Sequence, residues 1–167
     1  RNNTEGTLVM LEAARQHPVE QFVLVSSSTV YGKGAEIPFR EDRMPGIPAS
    51  PYGASKYAAE LFGLTYLELH DVPVVGVRPF SVYGPRLRPD LALSIFTDRI
   101  LRGKTLPLYG DGSIRRDMTH VSDICDGLYA AMTVKQAVGQ RINLGNSHPI
   151  AMSEVIRHLE EAAGKKA

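Results

Sequence analysis

Tyr52 and Lys56 stand four residues apart, so on a helix they share one face. An ammonium beside a phenol favours the phenolate, and a phenolate near neutral pH is a usable general base. Upstream, Ser26-Ser27-Ser28-Thr29 follows the apolar run Phe22-Val23-Leu24-Val25. A serine at the end of such a strand can hold a substrate hydroxyl next to that base. The chemistry this combination serves is proton removal from an alcohol. Alone, a Tyr-x-x-x-Lys pair is a commonplace surface arrangement; its weight here comes from the elements around it.

Pro51 suits the first turn of a helix, with Ser50 as its cap, and that helix is expected to continue through Glu60 to about His70. It places Tyr52 in its first turn, facing the C-terminal ends of strands, where open α/β sheets bind ligands. Asn2 to Arg15 reads as a helix with Leu8, Leu11 and Ala14 at spacings of three, ended by Pro18. Val74-Val75-Gly76-Val77-Arg78 is the next strand, ending at Pro79. Helix, strand, helix, strand implies parallel strands with crossovers, hence an α/β sheet. Gly32 to Ser50 is a long surface loop, a length more often functional than incidental. Further on, the pattern predicts a break at Pro85–Pro89, a helix over Leu91–Arg102 and an extended run over Thr105–Tyr109. A turn at Gly110–Ser113 and a second extended run over Asp117–His120 follow. Ser122 is expected to cap a helix reaching about Met132 that buries Cys125, Arg141–Leu144 to form a strand, and Ser153 to open the last helix.

At 167 residues the chain amounts to about one domain. Hydrophobic residues make up 43% and charged residues 22%, the balance of an ordinary soluble protein. A net charge of +1 supplies no field steering the chain to nucleic acid or a membrane surface. No apolar run approaches the roughly 18–20 residues that span a bilayer, and no signal peptide is visible. The single cysteine excludes an internal disulfide framework and suits a reducing, cytoplasmic setting. The five histidines are scattered, without metal-ligand spacing, so no metal is expected. The chain opens directly on a helix and stops just after another, which reads as a piece of a longer protein.

Three segments taken together, Ser26-Ser27-Ser28-Thr29-Val30-Tyr31-Gly32, Ser50-Pro51-Tyr52-Gly53-Ala54-Ser55-Lys56 and Arg78-Pro79-Phe80-Ser81-Val82-Tyr83-Gly84-Pro85, resemble the extended short-chain dehydrogenase/reductases. Within these the likeness is to the NAD-dependent sugar-nucleotide epimerases and dehydratases, over nearly the whole chain. The resemblance implies a partial Rossmann-type parallel sheet with helices, plus part of a smaller C-terminal substrate-binding region. It implies a division into residues 1–80, the later half of the NAD-binding domain, and 81–167, a nucleotide-sugar region that includes returning Rossmann elements. It implies Ser27, Tyr52 and Lys56 as catalytic residues and NAD as cofactor, contacted by Ser26, Tyr52, Lys56 and Pro79. The glycine-rich dinucleotide turn of that family is not in the sequence, so the chain by itself is expected to bind NAD weakly and turn over little. The family's dimers, formed through the helices that begin near Asn2 and Tyr52, imply a homodimer.

The same resemblance narrows the reaction. Family dehydratases and decarboxylases carry carboxylates where this chain has Ser28 and Thr29, because elimination needs an added acid/base. That favours a 4-epimerase: oxidation at a sugar C4, then re-reduction on the opposite face. Ser81-Val82-Tyr83-Gly84-Pro85 followed by Arg88-Pro89-Asp90-Leu91-Ala92 is similar to epimerases acting on UDP-glucuronate. It implies that Ser81 and Arg88 meet a sugar carboxylate, for which a hydroxyl and a guanidinium are sensible partners. Leu106-Pro107-Leu108-Tyr109-Gly110 resembles the uracil-binding strand, with Pro107 and Tyr109 at the base, and Arg116 would bind the diphosphate. The substrate implied is a UDP-sugar. Two alternatives stay open at this point: a dehydratase or decarboxylase, and a non-catalytic, self-associating module.

Overall fold

The computed structural model of the chain describes residues 2–43, 46–108 and 110–166. In chain order its elements are α1 (Glu5–Gln16), β1 (Phe22–Val25), α2 (Pro51–His70), β2 (Val74–Pro79), β3 (Ser81–Tyr83), α3 (Ala92–Leu101), β4 (Arg115–His120), α4 (Val121–Thr133), β5 (Arg141–Leu144), β6 (Pro149–Ala151) and α5 (Met152–Ala163). Short 3-10 turns occupy Ser28–Tyr31 and Lys135–Ala137. The fold divides into two units. One takes the chain up to Phe80 together with Asp123–Leu144; the other takes Ser81–Ser122 and the chain from Gly145 onward.

The first unit is α/β, built on a parallel sheet in the order β1-β2-β5, with Val25 opposite Val77 and Val77 opposite Ile142. β2 lies in the middle, which is why Val74–Val77 is a continuous apolar run, as expected of a parallel strand covered on both faces. Alternate residues feed different layers. Val74 packs with Leu11 and Ala14 of α1, Leu24 of β1 and Ala59 of α2. Val75 and Val77 pack with Ala131 of α4 and Ala137. Helices therefore cover both faces, and the C-terminal ends of β1 and β2 emerge together.

α2 carries Tyr52 and Lys56, and its start is sharply set. Ser50 Oγ accepts a hydrogen bond from the Gly53 amide at 3.1 Å, and Pro51 takes the first turn, where its missing N–H costs nothing. Gly53 permits a close approach: a Cβ there would lie 2.8 Å from the Thr29 carbonyl oxygen. The first turn of α2 is thus pressed directly onto the Ser28–Tyr31 turn. The intervening loop starts at Gly32, whose φ of +69° and crowding against the Ile47 backbone admit no side chain.

The second unit has a mixed sheet, β3-β4-β6, with β3 parallel and β6 antiparallel to β4. α3 and α5 pack on one another.

Several expectations need correction. α1 begins at Glu5, not Asn2: Thr7 Oγ1 donates to the Asn3 carbonyl at 2.7 Å, in the turn before the helix. The expected extended run at 105–108 is not a strand; Leu108 N–H bonds back to the Leu106 carbonyl around Pro107, which has no N–H to give a ladder. Tyr109 lies outside the described residues. α4 starts at Val121, so Ser122 sits inside it, and the Ser122 amide donates to His120 Nδ1 at 3.3 Å. Cys125 is exposed: Ile124 and Leu128 carry the inward stripe, and the cysteine falls one position off it.

The crowding at Gly53 gives a prediction of unusual sign. Glycine to alanine in a helix ordinarily stabilises by about 0.5–1 kcal/mol, but Gly53→Ala should destabilise by about 1–3 kcal/mol through overpacking. Urea unfolding checks it; an unchanged or raised midpoint would contradict the contact between α2 and the Thr29 turn.

Candidate active site

Ser27 stands two residues past β1, in extended backbone, as the cap of the Ser28–Tyr31 turn. Its Oγ accepts from the Thr29 amide at 3.2 Å and from Thr29 Oγ1 at 3.0 Å. Both bonds use its lone pairs, so its own O–H remains available to donate. Ser28 is half-buried and Thr29 exposed within that turn. The neighbouring Ser26 is buried, its amide held by the Val77 carbonyl at 2.7 Å, and its Oγ has no hydrogen-bond partner.

Tyr52 is half exposed in the first turn of α2. Its carbonyl accepts from Ser55 Oγ at 2.8 Å, and Asn3 Nδ2 donates to that same Oγ at 3.0 Å, which ties the approach to α1 to the Tyr52 turn. Lys56 lies one turn on. Its Nζ donates to the Val25 carbonyl at 2.9 Å and stands 6.0 Å from the centre of the Tyr52 ring. Partial burial lowers the Lys56 pKa from the ordinary lysine value. The clasp on Val25 sets Lys56 at the C-terminal end of β1, two residues before Ser27. Ser27, Tyr52 and Lys56 are therefore gathered at one end of the sheet.

Below them lies an arrangement that the sequence reading missed. Arg78 is fully buried on β2 and bonds Glu60 of α2 twice, Nε to Oε1 at 2.9 Å and Nη2 to Oε2 at 2.6 Å. Burial opposes the Arg78 charge, but the Glu60 carboxylate outweighs it and raises the guanidinium pKa above the ordinary value. The guanidinium carbon lies 4.7 Å from the centre of the Tyr31 ring, whose hydroxyl donates to Asn143 Oδ1 at 2.8 Å. Phe39 stacks on Tyr31 at 4.4 Å. Asn143 also donates from its amide to Glu41 Oε1 at 2.9 Å and from Nδ2 to the Phe39 carbonyl at 3.2 Å, pinning the long loop. The available signal was Glu60 continuing the Tyr52–Lys56 spacing, together with one arginine in an apolar strand.

Pro79 ends β2. The remaining sequence candidates belong to the second unit. Ser81 opens β3 opposite Met118 of β4, and Arg116 is exposed on β4. Arg88 is exposed and already holds a carboxylate, Asp90, through Nε at 3.1 Å and Nη2 at 2.9 Å. Pro107 is exposed in the non-strand segment. His120, beside Tyr83 at 5.3 Å, serves the start of α4.

The residues at the end of β1 fit a dinucleotide's ribose and amide groups. Ser26 has an unpartnered buried hydroxyl, and Lys56 has spent one of its three N–H donors on the protein. Among the described residues no group of three or more His, Cys, Asp or Glu could hold a metal ion, and no helix is long and apolar enough to cross a membrane.

Residues 1–145 match the model of the NAD dependent epimerase/dehydratase family, and the chain belongs to that family. The UDP-glucuronate 4-epimerase of Thermodesulfobacterium geofontis is 40% identical over 99% of the chain and 51% of its own length. The dTDP-glucose 4,6-dehydratase of an Actinoplanes species is 38% identical over 99% of the chain and 51% of its own length. Among solved structures, UDP-glucuronic acid 4-epimerase from Bacillus cereus, in complex with UDP-glucuronic acid and NAD, superimposes with a TM-score of 0.93 at 37% identity. That match covers 99% of this chain and 52% of the epimerase. The chain thus spans about half the length of the relatives it matches.

The Lys56 environment predicts a pH dependence. Burial disfavours the ammonium in the folded chain only, so the unfolded chain binds that proton more tightly. Stability should then rise with pH as the ordinary lysine value of 10.5 is approached from below. Urea unfolding of the wild type and Lys56→Met at about pH 8 and about pH 10 should show the wild type gaining relative to the variant. A constant or shrinking difference would contradict the burial.

Proposed function

We propose that the chain carries the catalytic side chains of an NAD-dependent nucleotide-sugar 4-epimerase whose substrate is a UDP-sugar with a carboxylate, such as UDP-glucuronate. The observation that carries this reading is the gathering of Ser27, Tyr52 and Lys56 at the end of β1 with only hydroxyls, Ser28 and Thr29, in the adjoining turn. A dehydratase or decarboxylase would need a further acid/base there, and neither residue supplies one.

In this reading the first unit serves the cofactor and the second the nucleotide sugar. Ser26, Lys56 and Pro79 would hold NAD, which would supply reversible hydride transfer at the sugar C4. Tyr52, as phenolate, takes the proton from the C4 hydroxyl and gives it back on return. Lys56 keeps a positive charge beside Tyr52 and offers its spare donors to the ribose. Ser27 donates its free O–H to the reacting oxygen. Ser26 and Pro79 border the cofactor. Arg116, exposed and cationic, takes the diphosphate, and anchoring there holds the 4-keto sugar while it turns over. Ser81 and Arg88 meet the sugar carboxylate, which would displace Asp90 from Arg88. Pro107 and Tyr109 border the base. A homodimer through α1 and α2 is supported by exposed apolar side chains on both, Val9, Met10, Leu61 and Leu69. The lone cysteine suits the cytoplasm.

The test uses the natural gene product carrying this sequence, supplied with UDP-glucuronate and with UDP-glucose. The glucuronate should be epimerised, Tyr52→Phe should abolish turnover, and Arg88→Ala should raise KM for glucuronate about tenfold (~1.4 kcal/mol) with little change in kcat. If only UDP-glucose turns over, the roles of Ser81 and Arg88 fail.

A further inference from the structure

Glu60 and Arg78 bond one another rather than Ser27, Tyr52 or Lys56, and they are the most completely buried charges among the described residues, at 3% and 0% exposure. A buried ion pair of this kind is weak evidence for stability, since apolar residues of similar volume often serve as well. Its geometry has a different consequence. Glu60 lies one helical turn beyond Lys56, on the same face of α2 as Tyr52. Lys56 clasps the last residue of β1 and Glu60 clasps β2 one residue beyond the Val25–Val77 pair. Two polar clasps one turn apart fix both the height of α2 over the sheet and its rotation about its own axis.

The same guanidinium also fixes the serine side. Its central carbon lies 4.7 Å from the centre of the Tyr31 ring, and Tyr31 closes the 3-10 turn that Ser27 caps. The two bonds to Glu60 hold the guanidinium plane, and with it the seat of that ring. Arg78 is thus the common neighbour of the helix bearing Tyr52 and Lys56 and of the turn bearing Ser27. Its other terminal nitrogen, Nη1, is buried without a hydrogen-bond partner, so the pair with Glu60 carries the polar bonding of this guanidinium.

We propose that Glu60 and Arg78 are positioning residues, whose buried pair sets the rotation of α2 and the seat of the Ser27 turn and so holds Lys56 at the end of β1 facing Tyr52. The proposal rests on the catalytic reading of Tyr52 and Lys56; loss of turnover in Tyr52→Phe tests that reading separately, and the following readout needs no turnover.

The ionisation of Lys56 is followed in the natural gene product by competitive acetylation across pH and mass spectrometry. Its ammonium donates to the Val25 carbonyl and stands 6.0 Å from the centre of the Tyr52 ring, in a cleft that Asn3, Thr7 and Met10 also line. The variants are Glu60→Met/Arg78→Met, which removes both charges and keeps volume, and Arg78→Lys, which keeps the charge but not the two-pronged geometry. In folded variants Lys56 should lose its lowered pKa and titrate like a free lysine, its unprotonated amine should become several-fold more accessible to the reagent, and kcat should fall about ten- to hundredfold, as for misplaced catalytic groups. Glu60→Asp, which restores the carboxylate one methylene shorter, should recover part of the wild-type titration. If the double variant does not fold, Arg78→Lys carries the test alone. A folded variant whose Lys56 titrates as in the wild type overturns the proposal, as does a fall in kcat with that titration unchanged.

Discussion

A carboxylate on a helix and a guanidinium on a strand, both stripped of water, can remain charged only by meeting one another. Glu60 and Arg78 satisfy this with two bonds of 2.9 and 2.6 Å. Desolvating either alone would cost several kcal/mol, roughly 3–5 when one partner is lost. α2 therefore has one workable rotation over β2. Everything at the C-terminal end of the sheet follows from that rotation: the side of α2 that carries Tyr52, the reach of Lys56 to Val25, and the pressing of Gly53 onto the Thr29 carbonyl.

The parallel sheet supplies the other half of the constraint. With Val25 and Val77 in register, Ser26 and Arg78 sit at the same level, one with an unpartnered hydroxyl and the other directed at α2. Tyr31 and Asn143 extend the network to β5 and to the loop after Gly32, through stacking on Phe39 and bonds to Glu41 and the Phe39 carbonyl. A loop of this length is usually mobile; here its middle is tied to a strand by an asparagine side chain and backbone.

The helix from Pro51 to His70 and its Ser50 cap were readable because cap, proline and apolar period all agree locally. β2 was readable because a central parallel strand opens on an apolar run, here Val74–Val77. The three-residue strands β3 and β6 were not, since their only signal is pairing with β4, a partner remote in sequence. Leu106 and Leu108 alternate as a strand should, but Pro107 removes a donor and the backbone closes on itself. Cys125 shows the limit of helical phase, where one position separates an inward from an outward side chain. Tyr52 and Lys56 were legible as candidates through residue type and spacing, and Ser27 through the family resemblance, whereas Glu60–Arg78 joins residues that only the fold brings together. The resemblance offered Arg88 to a sugar carboxylate, and nothing in the sequence signalled that Asp90 binds it in the fold.

The family is NAD-dependent and its members include both epimerases and dehydratases, so the fate of the sugar's C4 hydrogen separates the reactions most directly. The measurement is the incubation of the natural gene product with NAD and UDP-glucuronate deuterated at C4, followed by NMR of the sugar. The account predicts a 4-epimer that keeps its deuterium at C4. Loss of the label to water, or release of the sugar carboxylate as carbon dioxide, would contradict it.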